Sequence, residues 1–97
     1  MAAYLIVNFD IDDPDSYRAY QKGAVPSLGI GDTSRLVAYD TATTVVEGGS
    51  AGTQTVVLEF ESMEAARAAY ESEAYQEVLP QRLGATSNHF GVLVEGA

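Results

Sequence analysis

Tyr4-Leu5-Ile6-Val7-Asn8-Phe9 is the stretch from which the rest of this 97-residue chain can be read. β-Branched and aromatic residues dominate it, which is the composition of a strand. Alternation sends Leu5, Val7 and Phe9 to one face and Tyr4 and Ile6 to the other. Both sets are apolar, so the strand is expected to be covered on both sides. Asp13-Pro14-Asp15 follows closely and has the chemistry of a helix start. Asp13 can cap, Pro14 is tolerated in the first turn, and Asp15 complements the positive end of the helix.

Working outward, Tyr17, Tyr20, Gln21 and Ala24 recur at helical spacing and form the expected inner face, with Pro26 and Gly29 marking the helix end. A loop from Gly29 to Ser34 leads to a second strand, Arg35 to Tyr39, which Thr43 to Glu47 is expected to continue after a bend at Asp40. Gly48-Gly49-Ser50-Ala51-Gly52 reads as a flexible hairpin connection into the strand Thr53 to Phe60. Ser62 can cap a second helix with Glu64 in its first turn and Met63, Ala66, Ala69 and Tyr70 facing inward. Ser72 can cap a short third helix carrying Tyr75, Val78, Leu79 and Arg82 at i, i+3, i+4 and i+7, which Pro80 is expected to kink or end. Asn88 to Glu95 is the last strand.

The order β-α-β-β-α-(α)-β predicts an α+β, ferredoxin-like βαββαβ fold with a four-stranded antiparallel sheet, one domain over residues 1–97. Both main helices then lie on one sheet face. The other face is also apolar, since Val57 opposes Val56 and Leu58 just as Tyr4 and Ile6 oppose Leu5 and Val7. A bare apolar face of that size is an association surface. The expected partner is a second copy of the chain, packed sheet to sheet as a homodimer.

Composition removes several function classes. Acidic residues outnumber basic ones fourteen to five, for a net charge of −9. Phosphate binding needs clustered Lys and Arg, whereas Arg18, Lys22, Arg35, Arg67 and Arg82 are scattered. Neither nucleic acid nor a membrane is an expected partner. No apolar run approaches the roughly 20 residues of a membrane-spanning helix. The first residues lack the basic flank and cleavage site of a signal peptide, so the expected setting is the cytoplasm. The chain has no cysteine, hence no disulfide, thiol nucleophile or thiolate metal site. It is also read as lacking a nucleophile elbow, a phosphate loop and a dinucleotide fingerprint, and no cofactor is expected.

A set of short motifs is familiar in combination. Asp13-Pro14-Asp15-Ser16-Tyr17-Arg18-Ala19-Tyr20, Glu47-Gly48, Phe60-Glu61-Ser62-Met63-Glu64-Ala65-Ala66, Tyr75-Gln76 with Arg82 seven residues after the tyrosine, and Glu95-Gly96 occur in this order. Together they resemble domain-of-unknown-function family 1330, almost end to end. The resemblance implies a dimeric α+β barrel, a group that includes cofactor-independent monooxygenases, isomerases, muconolactone-type enzymes and non-catalytic members. It implies no settled activity, because fold is weak warrant for function. Where that family usually carries a Gly-Gly pair before the second strand, this chain reads Gly31-Asp32-Thr33-Ser34-Arg35.

Arg82 is the most informative candidate, because it stands in the apolar stripe of its helix, where an unpaired charge is unfavourable. It can bind a carboxylate or enolate in a cleft, pair with Glu47, or pack its stem and send its head to solvent. The resemblance matches both Arg82 and Glu47. Tyr17, Tyr20, Tyr39, Tyr70 and Tyr75 can line a pocket for a small, partly apolar organic acid, Tyr17 and Tyr75 foremost as matches to the family motifs, or can be core residues with surface hydroxyls. His89, the only histidine, is the candidate general base; a surface strand residue is the alternative. Asp10, Asp12, Asp13 and Asp15 can hold a hard cation only weakly, lacking the spacing and central glycine of a calcium loop, so no metal site is expected. Asp12 or Asp13 can alternatively act as a carboxylate base at a cleft mouth. Two readings follow. One is a small-molecule-binding domain acting as a cofactor-independent enzyme on an organic acid or carbonyl compound. The other is a non-catalytic module that mainly dimerises.

Overall fold

β1 (Ala3–Ile11) sends Leu5, Val7 and Phe9 into the core and leaves Tyr4 and Ile6 half-buried on the opposite side. It is an inner strand of a four-stranded sheet with the order β2-β3-β1-β4, the partners being β2 (Ser34–Asp40), β3 (Gln54–Phe60) and β4 (Thr86–Glu95). Every neighbouring pair is antiparallel. The computed structural model describes residues 1–97. Three helices contribute to one core with the inward side chains of the sheet: α1 (Pro14–Ser27), α2 (Met63–Glu71) and α3 (Glu73–Ala85). The result is the expected α+β ferredoxin-like architecture. None of the helices is long and apolar enough to cross a membrane.

Each helix starts where its capping chemistry places it. The Asp13 carboxylate accepts from the Ser16 N–H at 3.2 Å and from the Ser16 hydroxyl at 2.8 Å, which holds its pKa below the ordinary carboxylate value. Ser62 accepts from the Ala65 N–H at 3.1 Å. Ser72 serves two helices at once: its hydroxyl accepts from the Tyr75 N–H at 3.2 Å and donates to the Ala69 carbonyl at 2.8 Å. That exchange turns the chain sharply from α2 into α3.

Two expectations about segment ends are corrected. Pro80 does not end α3, which runs on to Ala85. Proline forfeits one backbone hydrogen bond, but Tyr75, Leu79, Arg82 and Ala85 are all buried along the same stripe, and their packing holds the helix together. Thr43 to Glu47 does not continue β2; ladder pairing stops at Asp40 and Thr55. The glycine-rich segment that would face it has little strand propensity, and Gly52 is diverted to β1. There the Asn8 side-chain amide donates to the Gly52 carbonyl at 3.0 Å and its oxygen accepts the Gly52 N–H at 2.6 Å. A Cβ at Gly52 would collide with the Phe9 backbone, so only glycine permits the approach.

A β-bulge alters the faces of β2. The register shifts between Leu36 and Ala38, so that Leu36 opposes Leu58 and Tyr39 opposes Val56. Simple alternation would separate Leu36 and Tyr39; with Val37 looped out, both point to the helix side. The open side of the sheet carries Ile6, Val57, Val92 and Val94 in register.

Candidate functional site

α1 packs chiefly against α3, and Gly23 lets them come close, since a Cβ there would press into Val78. α1 therefore stands off from the β2–β3 half of the sheet. A cleft of about 120 Å³ fills the gap, reaching from Phe9 and Tyr75 at its inner wall to Val25, Leu36 and Tyr39 at its rim. Fourteen of its sixteen lining residues are hydrophobic, and the other two are Gln21 and Arg82. Arg82 is thus the only formal charge in the lining.

The helical spacings deliver the polar groups. α1 brings Tyr17, Tyr20 and Ala24 to the cleft, and α3 brings Tyr75 and Arg82. Arg82 is 3 % exposed. Its guanidinium carbon lies 5.4 Å from the centroid of the Phe9 ring and 5.8 Å from that of Tyr20, a cation–π arrangement on two sides. Its Nε is buried without a hydrogen-bond partner. The ion pairs in the chain are Arg18 with Asp15 and Arg35 with Glu59, both outside the cleft. Burial pulls the Arg82 pKa down, but Tyr75 and Tyr20 outweigh it and hold it above the ordinary arginine value, so the group stays charged.

The tyrosine hydroxyls complete the arrangement. Tyr20 Oη and Tyr75 Oη are 2.7 Å apart. One donates to the other, which leaves a single hydroxyl hydrogen free to meet an acceptor from outside the pair. Burial, reinforced by Tyr75, pushes the Tyr20 hydroxyl pKa far up, and burial together with Tyr39 does the same for Tyr17. Both remain protonated donors. The cleft that Arg82 and the tyrosine pair line holds no carboxylate or imidazole to accept a hydrogen from them. Chemically, a guanidinium beside a protonated hydroxyl pair is a donor set suited to an oxyanion.

Of the residues singled out from the sequence, Tyr17, Tyr20, Tyr75 and Arg82 come together here. Glu47 does not: it is exposed in the β2–β3 loop and forms no ion pair with Arg82. His89 is exposed on β4 and is not part of the cleft lining. The acidic cluster is spread over separate tasks. Asp10 accepts from the Thr53 N–H, Asp12 from the Ser87 hydroxyl, Asp13 caps α1, and Asp15 pairs with Arg18. No three acidic or histidine side chains converge as a metal site would require. Gly48-Gly49-Ser50-Ala51-Gly52 does have the Gly-x-Ser-x-Gly spacing of a nucleophile elbow. It sits in a strand-to-strand loop with Ser50 exposed, whereas that chemistry needs a strand-to-helix turn and an adjacent base.

Tyr39, one of the tyrosines that the sequence offers for a pocket, is at the rim; sequence reasoning missed Phe9 and Gln21 in the lining and the buried Gln54 outside it. Gln21 donates to the Tyr39 hydroxyl at 2.8 Å across the rim. Gln54 stands opposite Phe9, is 1 % exposed, and its Nε2 has no partner. The signal for Gln54 was its place in the Gln54, Val56, Leu58 set on the buried side of β3.

This fold and sheet order define the class of ferredoxin-like α+β domains. Within that class the chain belongs to the family described as Domain of unknown function (DUF1330), which matches residues 2–97. A comparison with curated proteins finds no match. Among solved structures, the chain is similar to RPA0582, a protein of unknown function from Rhodopseudomonas palustris, with a TM-score of 0.75 at 13 % identity over 99 % of this chain and 82 % of that one. It is also similar to a dimeric ferredoxin-like protein of unknown function from Thermobifida fusca, with a TM-score of 0.62 at 16 % identity, covering 99 % and 92 %. A third is SnoaB from Streptomyces nogalater, a cofactor-independent oxygenase, with a TM-score of 0.64 at 11 % identity, covering 99 % and 93 %. At such identities the likeness is one of fold.

Proposed function

We propose that the chain is a small-molecule-binding domain that holds an organic anion at Arg82. One observation carries the reading: a buried guanidinium, its Nε unbonded and without a carboxylate partner, lies in an otherwise uncharged cleft. An unpaired buried charge is unfavourable for the empty protein, and a bound carboxylate or enolate relieves it. In its finer form the reading is a cofactor-independent enzyme acting on a small organic acid or carbonyl compound. Arg82 and the Tyr20–Tyr75 pair then stabilise negative charge developing on a ligand oxygen. The test is titration of isotopically labelled protein with small carboxylates, followed by NMR, on the wild type and Arg82→Met. The variant is expected to lose binding while its ligand-free stability stays level or rises by about 1–3 kcal/mol, as when a buried charge gives way to an apolar side chain. A drop of several degrees in melting temperature instead would make the arginine a structural partner.

A second reading, a non-catalytic module that mainly dimerises, draws on the open sheet face, where Val92 and Val94 are exposed beside Ile6 and Val57. A homodimer packed through that face would bury roughly 1,200 Å² or more in total. It is compatible with the first reading, since the cleft opens on the other side of the sheet.

A further inference from the structure

We infer that the guest at Arg82 is a small monoanion with an apolar body, a monocarboxylate or an enolate, that enters charged end first. The inference rests on the anion-binding reading above and narrows it. Its basis is the direction in which polarity runs along the cleft. Arg82 is 3 % exposed, whereas Val25, Leu36 and Tyr39, which line the same cleft, are 48, 45 and 47 % exposed. The charge is at the closed end and the apolar surface at the mouth. This is the reverse of a surface anion site, where cations stand at the rim and the ligand keeps much of its water.

A guest reaching Arg82 must give up its hydration on the way through an apolar mouth. That selects against strongly hydrated or doubly charged groups, whose transfer is the most unfavourable. Inorganic phosphate and dicarboxylates fall in that class. A second carboxylate would also find no second cation, because Arg82 is the only charge in the lining. The donors fit one head group. The lining offers one guanidinium and one spare Tyr20–Tyr75 hydroxyl hydrogen, a donor set that matches the two oxygens of a single carboxylate in kind and number.

The remaining space sets the body. A dry apolar cavity of roughly 150 Å³ accepts a benzene ring, and this partly open cleft is of similar size, about 120 Å³. One ring or a short branched chain fills it. The walls are of matching chemistry: Phe9, Tyr17 and Tyr20 are aromatic, and Leu28, Val56 and Leu58 are aliphatic.

The experiment is an NMR titration of labelled wild-type protein at pH 7 with benzoate, 3-methylbutanoate, succinate, inorganic phosphate and benzamide. Benzoate and 3-methylbutanoate are expected to shift cleft resonances such as Leu28 and Val56, at least tenfold more tightly than the other three. Arg82→Met tests the charge. Leu36→Asp keeps Arg82 and places a carboxylate at the exposed rim, where folding tolerates it; benzoate affinity should fall at least threefold relative to Leu36→Asn. Equal binding by succinate or phosphate would overturn the monoanion assignment while leaving the anion site standing. Benzamide binding as tightly as benzoate would overturn the role of charge. Wild-type protein that binds none of the anions would overturn this inference and the reading beneath it together.

Discussion

Two arginines on opposite sides of one sheet are treated in opposite ways. Arg35, on the open face, donates from Nε to the Glu59 carboxylate at 2.9 Å, and the same carboxylate accepts from the Tyr4 hydroxyl at 3.1 Å. Arg82, under the helices, has no carboxylate and an unbonded Nε. The exposed charge, which water would satisfy anyway, has its partner within the chain. The buried one, which needs a counter-charge most, has only aromatic neighbours. A fold that selected only for its own stability would have done the reverse. On the proposed reading, the contrast separates a face arranged for the protein from a cleft arranged for a guest.

The sharpest way to probe the buried side is through its packing. Tyr75 is fully buried, touches the Tyr20 and Tyr70 rings, and forms the inner wall of the cleft. Tyr75→Ala is expected to lose about 3–5 kcal/mol in urea denaturation, the range for deleting a large core aromatic. A loss under about 1 kcal/mol would mean that the inner wall is not part of the core. On the open side, Val92→Asp should cost the monomer little but separate the expected homodimer. Light scattering would then read close to the 10.3 kDa of one chain where the wild type reads twice that. A wild type that is already monomeric at micromolar concentration would remove the second copy from the account.

Smaller effects refine the comparison. Gln54→Leu removes a buried amide donor with no partner, so stability should stay level or rise by about 1 kcal/mol. A clear loss would reveal an acceptor for that amide. The smallest effect belongs to Glu59, whose carboxyl is held below the usual range by the Arg35 hydrogen bond, then by that of Tyr4. A lowered carboxylate pKa stabilises the fold above the unfolded value of about 4.3, and the contribution disappears as pH falls through the folded value. The small stability difference between wild type and Glu59→Gln should therefore be present at pH 7 and vanish in acid. A difference that grows on acidification would contradict the pairing.

Local chemistry carried much of the architecture in advance. The two-sided apolar β1, the caps at Asp13, Ser62 and Ser72, and the stripes Tyr17, Tyr20, Ala24 and Tyr75, Leu79, Arg82 depend on neighbours within about one helical turn or on strand alternation, and linear order preserves both. Contacts between distant segments decided the rest. The bulge at Val37 that turns Leu36 and Tyr39 toward the cleft follows from pairing with β3, about twenty residues away in sequence, a register that alternation alone cannot reveal. The helix continues past Pro80 because the residues beyond it are buried against the rest of the core. Arg82 stands among apolar residues in the sequence itself, but whether a carboxylate reaches it depends on where every acidic side chain lies in space. Glu47 was within reach only on paper: it is exposed in the β2–β3 loop, whereas Arg82 is buried under the helices. An ion pair is a property of distance in three dimensions, and sequence separation does not determine it.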